Sequence, residues 1–383
     1  MALEIEALLL RKLVGNEYAI GEVLSASLFS AGNAGESGAT IVEAPLLKFR
    51  EVGGTIFLLQ TELGQFALKV YSTEQLSGQC LLEASLMAEL PRSGFSLVPN
   101  VICTKSGALL GTIGERKCLL LQYIPCTREL NWTSAAKKDA ECVEAGKVLA
   151  RLHATLSGFA DEFVSELGLS KDVQPSSVGR NGKVGVSSIR PYLHGWLCSA
   201  FALVAGNEHK MNDQLKQSTI AKQELALKIA ENAEKSLVRA DSANLLLVHG
   251  DFHTGNLIWR NETVLAVIDF ENAHYEHPLY DVAYAIIMFT SNWASDDRSE
   301  PFNMSLGRLM LENYLSEANL VTESEVEQLL PAYIQLTGVL ILMWVLHDCV
   351  RSQRFERQLK FLLAHIQDFK TMGGSLVQRQ RRA

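Results

Sequence analysis

The residues best placed to do chemistry lie in LVHGDFHTGN, residues 247–256, and in the strand-like VLAVIDFE that follows at 264–271. Two chemistries could use them. His249 and His253 are four residues apart, a spacing that serves zinc on a helix, but the zinc hydrolase pattern places Glu directly after the first His. Gly250 stands there instead, and Gly250, Asp251 and Gly255 disfavour a regular helix. The other chemistry takes Asp251, Asn256 and Asp269 as a set. Phosphoryl transfer needs a carboxylate to accept the proton of an attacking hydroxyl, and oxygen ligands to hold magnesium on the phosphates. Asp, Asn and Asp supply both.

Their order, His-Gly-Asp, then Asn, then a strand ending in a second Asp, is the order of a kinase catalytic loop and its metal-binding Asp. Such a site needs a phosphate-binding lysine from elsewhere in the chain. FREVGGTIFLLQTELGQFALKVY, residues 49–71, breaks into two apolar runs joined by TELGQ, as a hairpin does. In the second run Phe66, Leu68 and Val70 point one way, while Lys69 shares the other face with Ala67 and Tyr71. From Thr73 to Leu90 the spacing turns helical, with Leu82, Leu86 and Leu90 as a stripe and Glu83 beside it. A Glu on the flank of a buried stripe needs a cation, and Lys69 is the natural partner. The plain alternative is a pair of solvated charges.

The remaining pattern gives the layout. EIEALLLRKLV at 4–14 is helical in spacing and AGNAGESGAT at 31–40 is a glycine-rich loop. VICTKSGALLG and KCLLLQYI suggest two more strands, the second running into Pro125. A small sheet-bearing part, 1–121, is therefore expected to pass through a connector at 122–126 into a larger helical part, 127–383. That part begins with a helix over 141–159 and continues with helices near 191–204 and 215–239 and at least two beyond 305. Residues 170–188, rich in Gly, Ser and polar residues, read as a mobile surface loop. LTGVLILMWVL at 336–346 is about half the roughly 20 residues a membrane span needs, and reads as a buried helix.

Composition narrows the function classes. In 383 residues, 48% hydrophobic, there is material for two lobes with a sizeable core, and the net charge of −8 argues against a nucleic-acid-binding surface. The one basic cluster, QRQRR at 378–382, reads as a solvated tail. Seven cysteines without a CxxC pair fit no complete disulfide framework, and the acidic start MALEIEALLL does not resemble a signal peptide. A cytoplasmic protein without membrane insertion is expected; the oligomeric state is not readable.

Several segments together resemble the aminoglycoside phosphotransferase, choline kinase and homoserine kinase-like superfamily, the small-molecule branch of the protein-kinase-like fold. LVHGDFHTGNLIW is similar to its catalytic loop, AVIDFENAHYEHPLYDVAYAI to its metal-binding segment, GKVLARLH to a helix before the core, and FALKVY to its lysine strand. The resemblance spans about residues 49–289 and implies an α+β, two-lobed fold with a small antiparallel-sheet N-lobe and a larger helical C-lobe. It implies ATP and Mg2+ as cofactors and a hydroxyl on a small molecule as acceptor. Asp251 would be the catalytic base, Asn256 and Asp269 the metal ligands, Lys69 the holder of the α and β phosphates, and Glu83 the residue that orients Lys69. Gln122, Tyr123 and Ile124 would form the hinge that meets adenine. Gly53, Gly54 and Thr55 fall at the family's phosphate-covering turn, although a plain hairpin turn fits GGT equally. Asp281 would brace the loop backbone, with His249 and His153 as structural histidines.

Departures from protein kinases are informative. Little chain separates Asp269 from the next helix, which leaves little room for a peptide-docking platform. DFE replaces DFG and removes a glycine that permits backbone reorientation, and His253 stands where protein kinases carry a lysine. For the acceptor the signals conflict. DFENAHY echoes choline kinases, whereas HGDFHTGN and LYDVAYAI sit closer to homoserine kinase-like and aminoglycoside enzymes. Trp196, Tyr275, Trp293 and Trp344 are available either as core or as a cage for a quaternary ammonium, and Glu271 and Asp348 could suit an amine. An amino alcohol or amino acid such as homoserine is the leading expectation; the alternatives are an aminoglycoside or choline/ethanolamine-type kinase, or a non-catalytic nucleotide-binding protein of the same fold.

Overall fold

A computed structural model describes residues 14–21, 23–28, 55–72, 77–126, 133, 138–159, 161–167, 169–175, 184–206, 211–238, 244–293, 300–352 and 355–377. Gly53, Gly54, the glycine-rich stretch at 31–40, the tail at 378–382 and all but Val14 of the expected first helix lie outside these residues.

Strands β1 (Val23–Leu28), β2 (Thr55–Thr61), β3 (Gly64–Val70), β4 (Gly111–Ile113) and β5 (Arg116–Gln122) form one antiparallel sheet in the order β1-β2-β3-β5-β4. The hairpin expected from the sequence is β2–β3, paired from Thr55↔Val70 to Thr61↔Gly64. Alternation decides which side packs. Phe57, Leu59, Phe66, Leu68 and Val70 join Tyr18, Cys118 and Leu120 in a core on one face. Helix α1 (Ser77–Glu89) buries Leu82 and Leu86 with Glu83 among them.

The expected strand over 101–111 is a correction. Only Gly111–Ile113 is strand; Val101 and Thr104 make single bridges to Leu121 and Tyr18. Thr104 explains the change, because its main chain pairs with Ala108 and its hydroxyl takes the Ala108 N–H at 3.0 Å, closing a turn over Thr-Lys-Ser-Gly.

Beyond β5 the chain divides into two compact units. One comprises Met1–Asn131, Ala160–Val186 and Asn256–Ala273; the other comprises Trp132–Phe159, Ser187–Gly255 and His274–Ala383. The first unit thus takes in residues 127–131, Ala160–Val186 and Asn256–Ala273, which a division at 122–126 leaves with the helical part. Helix α2 (Asp139–Leu156) belongs to the second unit. The short α3 (Asp161–Glu166) and the parallel pair β6 (Leu169–Pro175) and β7 (Val184–Gly185) belong to the first. This pair corrects the expected loop over 170–188: main-chain pairing such as Val186 N–H to the Ser170 carbonyl asks nothing of side-chain type, so polar residues and glycine can join it. Residues 176–183 lie outside the described set.

Helices α4 (Leu193–Gly206) and α5 (Asp213–Val238) and strand β8 (Leu246–Val248) lead into the His249–Asn256 loop. The hairpin β9 (Leu257–Arg260) and β10 (Thr263–Val267) follows, held in the first unit by Val267 N–H to the Leu97 carbonyl at 2.8 Å. Strand β11 (His274–Glu276) returns to pair with β8 in the second unit. Among the described residues five helices complete that unit: α6 (Leu279–Thr290), α7 (Met304–Glu317), α8 (Glu323–Ser352), α9 (Glu356–His365) and α10 (Phe369–Val377). The apolar stretch at 336–346 lies inside α8, whose most apolar window is 83% buried within the protein, as a core helix should be.

Close helix packing depends on glycine in GKVLARLH. A Cβ built on Gly146 of α2 would lie 2.5 Å from the Met310 carbonyl oxygen of α7, too near for either backbone to tolerate. Gly146→Ala is therefore expected to cost about 1–3 kcal/mol of stability, read as a lower urea midpoint with an unchanged m-value. An unchanged midpoint would contradict this packing.

Candidate active site

Lys69 sits on β3, and its ammonium is the centre of an acidic cluster within the first unit. It donates to both carboxylate oxygens of Glu83 on α1 (3.0 and 2.9 Å), to Asp269 Oδ1 (2.7 Å) and to Glu271 Oε2 (2.9 Å). Tyr71, two residues further along the same strand face, donates its hydroxyl to Glu83 Oε2 at 2.8 Å. The lysine is buried, as is Glu83, whereas the Asp269 side chain is 35% exposed and is the open member of the group. Burial alone would pull the lysine down; Asp269, Glu271 and Glu83 reverse this and hold it well above its ordinary value, so the charge stays. Burial likewise raises Glu83 against the pull of Lys69. It pushes Glu271 up to about 7, with Lys69 opposing and Asp269 and Glu83 adding to the rise.

The β9–β10 hairpin delivers the acids. Leu257 pairs with Val267 at its open end, and the next residue pair continues it, with Ile268 N–H donating to the Asn256 carbonyl at 3.0 Å. Asn256 therefore stands beside the chain that leads into Asp269. Asp269 has φ 70° and ψ 59°, a left-handed conformation that an Asp tolerates better than most residues. It turns the chain into a 3-10 turn over Phe270–Asn272, with Phe270 fully buried. Glu83, Asp269 and Glu271 offer carboxylate oxygens within 4.8 Å of one another, and the Lys69 ammonium lies among them. No histidine belongs to that group among the described residues.

The His249–Gly255 part of the loop belongs to the second unit, and the unit boundary passes between Gly255 and Asn256. Asp281 on α6, fully buried, accepts the N–H groups of His249 (2.7 Å) and Gly250 (2.9 Å). Its second neighbour is His153 of α2, whose Nε2 lies 3.0 Å from Oδ2 and whose Nδ1 lies 2.9 Å from the Tyr314 hydroxyl. Burial would raise the Asp281 carboxyl, but the hydrogen bond and charge of His153, with His249, outweigh it and hold it below the usual range. Gly250, at φ 83°, is the position where the loop needs glycine.

The histidines that draw attention in the sequence are tied to the backbone. His249 Nδ1 accepts the Asp251 N–H at 3.2 Å, and His253 Nδ1 accepts the Gly255 N–H at 3.0 Å. These bonds leave the Nε2 atoms to carry the proton in the neutral rings. His253 Nε2 then faces Asp251 Oδ1 at 3.5 Å, and the Tyr284 hydroxyl donates to the same oxygen at 2.6 Å. Burial works to raise Asp251, yet His253 and Tyr284 together lower it below the ordinary carboxylate value. The carboxylate is charged at neutral pH.

The other expected residues can be placed as follows. Thr55 opens β2 opposite Val70, with its buried hydroxyl unpartnered among the described residues. Gln122 ends β5; its N–H goes to the Asn100 carbonyl and that of Tyr123 to the Gln65 carbonyl, while Ile124 follows outside the sheet. Of the four aromatics, Trp293 packs on Phe361 and is 1% exposed, Tyr275 is a buried strand residue, Trp196 stacks on Tyr192, and Trp344 is half-exposed. Tyr71, Tyr284 and the contact of Glu271 with Lys69 were not read from the sequence. The only signals for them were spacings: two residues from Lys69, three from Asp281 and two from Asp269.

Residues 52–309 match the model of the phosphotransferase enzyme family. Among curated relatives, a homoserine kinase of Azorhizobium caulinodans is 24% identical over 67% of this chain and 66% of its own length. One from Beijerinckia indica is 26% identical over 60% of this chain and 59% of its own, so the matched part is less than two thirds of these two relatives. A homoserine kinase of Gluconobacter oxydans is 24% identical over 77% of this chain and 79% of its own. Among solved structures, a spectinomycin phosphotransferase in complex with ADP and spectinomycin aligns over 97% of this chain and 98% of its own, at TM-score 0.63 and 15% identity. A microcompartment-associated aminopropanol kinase aligns over 98% and 97%, at 0.59 and 14%. A choline kinase from Cryptosporidium parvum aligns over 85% and 87%, at 0.53 and 15%. The likenesses agree on the α+β, protein-kinase-like fold, and with the family match running over more than half of its length this chain belongs to the phosphotransferase enzyme family.

Proposed function

We propose that the protein uses ATP and Mg2+ to phosphorylate the hydroxyl of a small amino alcohol or amino acid, with homoserine as the first candidate. The observation that carries this reading is the buried Lys69 ammonium, fixed by Glu83 and in contact with Asp269 at 2.7 Å. A lysine so fixed serves to hold phosphate oxygens. Homoserine leads because the curated relatives, 23–26% identical, are homoserine kinases.

In this reading Asp251 takes the proton of the acceptor hydroxyl, Lys69 holds the α and β phosphates, and Glu83 keeps Lys69 in place. Asn256 and Asp269 would hold magnesium, which when bound offsets the charge of the phosphates. Asp281 holds the loop that presents Asp251. The backbone around Gln122, Tyr123 and Ile124 would meet adenine, and Thr55 would lie at the phosphate-covering turn.

Two outcomes follow. Asp251→Asn keeps the shape of the loop but removes the base, so acceptor-dependent ADP release should fall by about 10²- to 10⁴-fold while ATP still binds by calorimetry; wild-type turnover in this variant would sink the reading. The second concerns charge around Lys69. Glu271 takes up its proton at higher pH in the folded chain than in the unfolded one, so its ionisation costs stability as pH rises through about 7. Glu271→Gln should therefore melt at a higher temperature than wild type above that pH, with the difference closing below it. A gap that widens on acidification would contradict the cluster's charge balance.

A further inference from the structure

Helix α6 grips the Asp251 loop at three points from one face. Tyr280, Asp281 and Tyr284 recur at helical spacing, and Tyr280 and Tyr284 stack with ring centroids 6.3 Å apart. Asp281 accepts two backbone N–H groups, and the Tyr280 hydroxyl donates to the Gly250 carbonyl at 3.4 Å. Those two contacts fix the main chain. The third is different in kind, because the Tyr284 hydroxyl, 7% exposed as a residue, reaches the Asp251 side chain itself.

A carboxylate on a loop can rotate about its own side-chain bonds even when the backbone is held. Here Oδ1 accepts from Tyr284 at 2.6 Å, with His253 Nε2 on the same oxygen at 3.5 Å. Protonating Oδ1 would displace these donors, which directs an incoming proton away from that oxygen. We infer that Tyr284 is a positioning residue for phosphoryl transfer: its hydroxyl clamps Asp251 Oδ1 and thereby aims Oδ2 at the acceptor hydroxyl. This rests on reading Asp251 as the base. In the step it serves, the acceptor O–H proton passes to Oδ2 and the acceptor oxygen bonds to the γ-phosphorus. The bond from that phosphorus to the bridging oxygen breaks, and its electron pair leaves on ADP.

Tyr284→Phe removes one oxygen and keeps the ring stacked on Tyr280. The test uses the full chain with Mg-ATP and the best acceptor among L-homoserine, ethanolamine and 1-amino-2-propanol. Expected is a loss in kcat of roughly 10- to 100-fold, with KM for ATP and acceptor unchanged within about two-fold. Introduced into Asp251→Asn, the same change should alter kcat by less than about two-fold, because the clamp has no carboxylate base left to aim. An undiminished effect in the Asp251→Asn background would overturn the inference, as would a higher acceptor KM at wild-type kcat, which would make Tyr284 a binding residue. Wild-type kcat in Asp251→Asn alone, or no turnover of any acceptor by wild type, would instead bring down the functional reading on which it rests.

Discussion

A buried ammonium cannot stand alone, and Lys69 brings the first unit's polar elements together by that constraint. Removing a charge from water without a partner costs more than a domain can spare. Three segments answer it: β3 supplies the lysine, α1 the Glu83 carboxylate, and the turn after β10 supplies Asp269 and Glu271. More negative than positive charge gathers there, and burial, with Asp269 and Glu83 adding to it, pushes the Glu271 carboxyl up to about 7. In the proposed function a cation and a phosphate would replace some of these internal pairs. The arrangement is thus poised for the proposed chemistry.

The second unit solves another problem, that of holding a short glycine-containing loop still. Two consecutive N–H groups end on one carboxylate, Asp281, which is itself fixed by His153 and, through it, Tyr314. His249, Asp281, His153 and Tyr314 are all fully buried, so each must be hydrogen-bonded, and these bonds fix the backbone of the loop. The proposed base gains its orientation from the same helix that braces its backbone.

Much of this was legible in the sequence. A change of period from two to 3.6 separated the lysine strand from the glutamate helix, and a Glu within the α1 leucine stripe asked for a cation that only a tertiary contact could provide. Asp281 follows only from the family resemblance, whereas His153 reads as structural from its place among apolar helix residues and His249 from its place in the loop. Tyr284 was not legible, because a tyrosine on an apolar face reads as core until its hydroxyl finds a partner; Tyr71 shares the Lys69 face, but nothing in the sequence pairs it with Glu83. Glu271 was read as a possible amine ligand; its contact with Lys69 depends on the tight turn after Asp269. Main-chain pairing hid the other differences. Residues 169–175 look like loop, but β6 needs only backbone partners, and residues 101–110 have strand-like apolarity that Thr104 and Gly107 turn away from the sheet.

The central claim is transfer of phosphate to a small hydroxyl, and phosphorus NMR tests it directly. The purified chain is incubated with Mg-ATP and L-homoserine, with the other amino alcohols in parallel. The account predicts a new phosphate monoester resonance that grows in step with ADP and is absent without acceptor. ADP and inorganic phosphate alone, at the same rate with and without every acceptor, would contradict it.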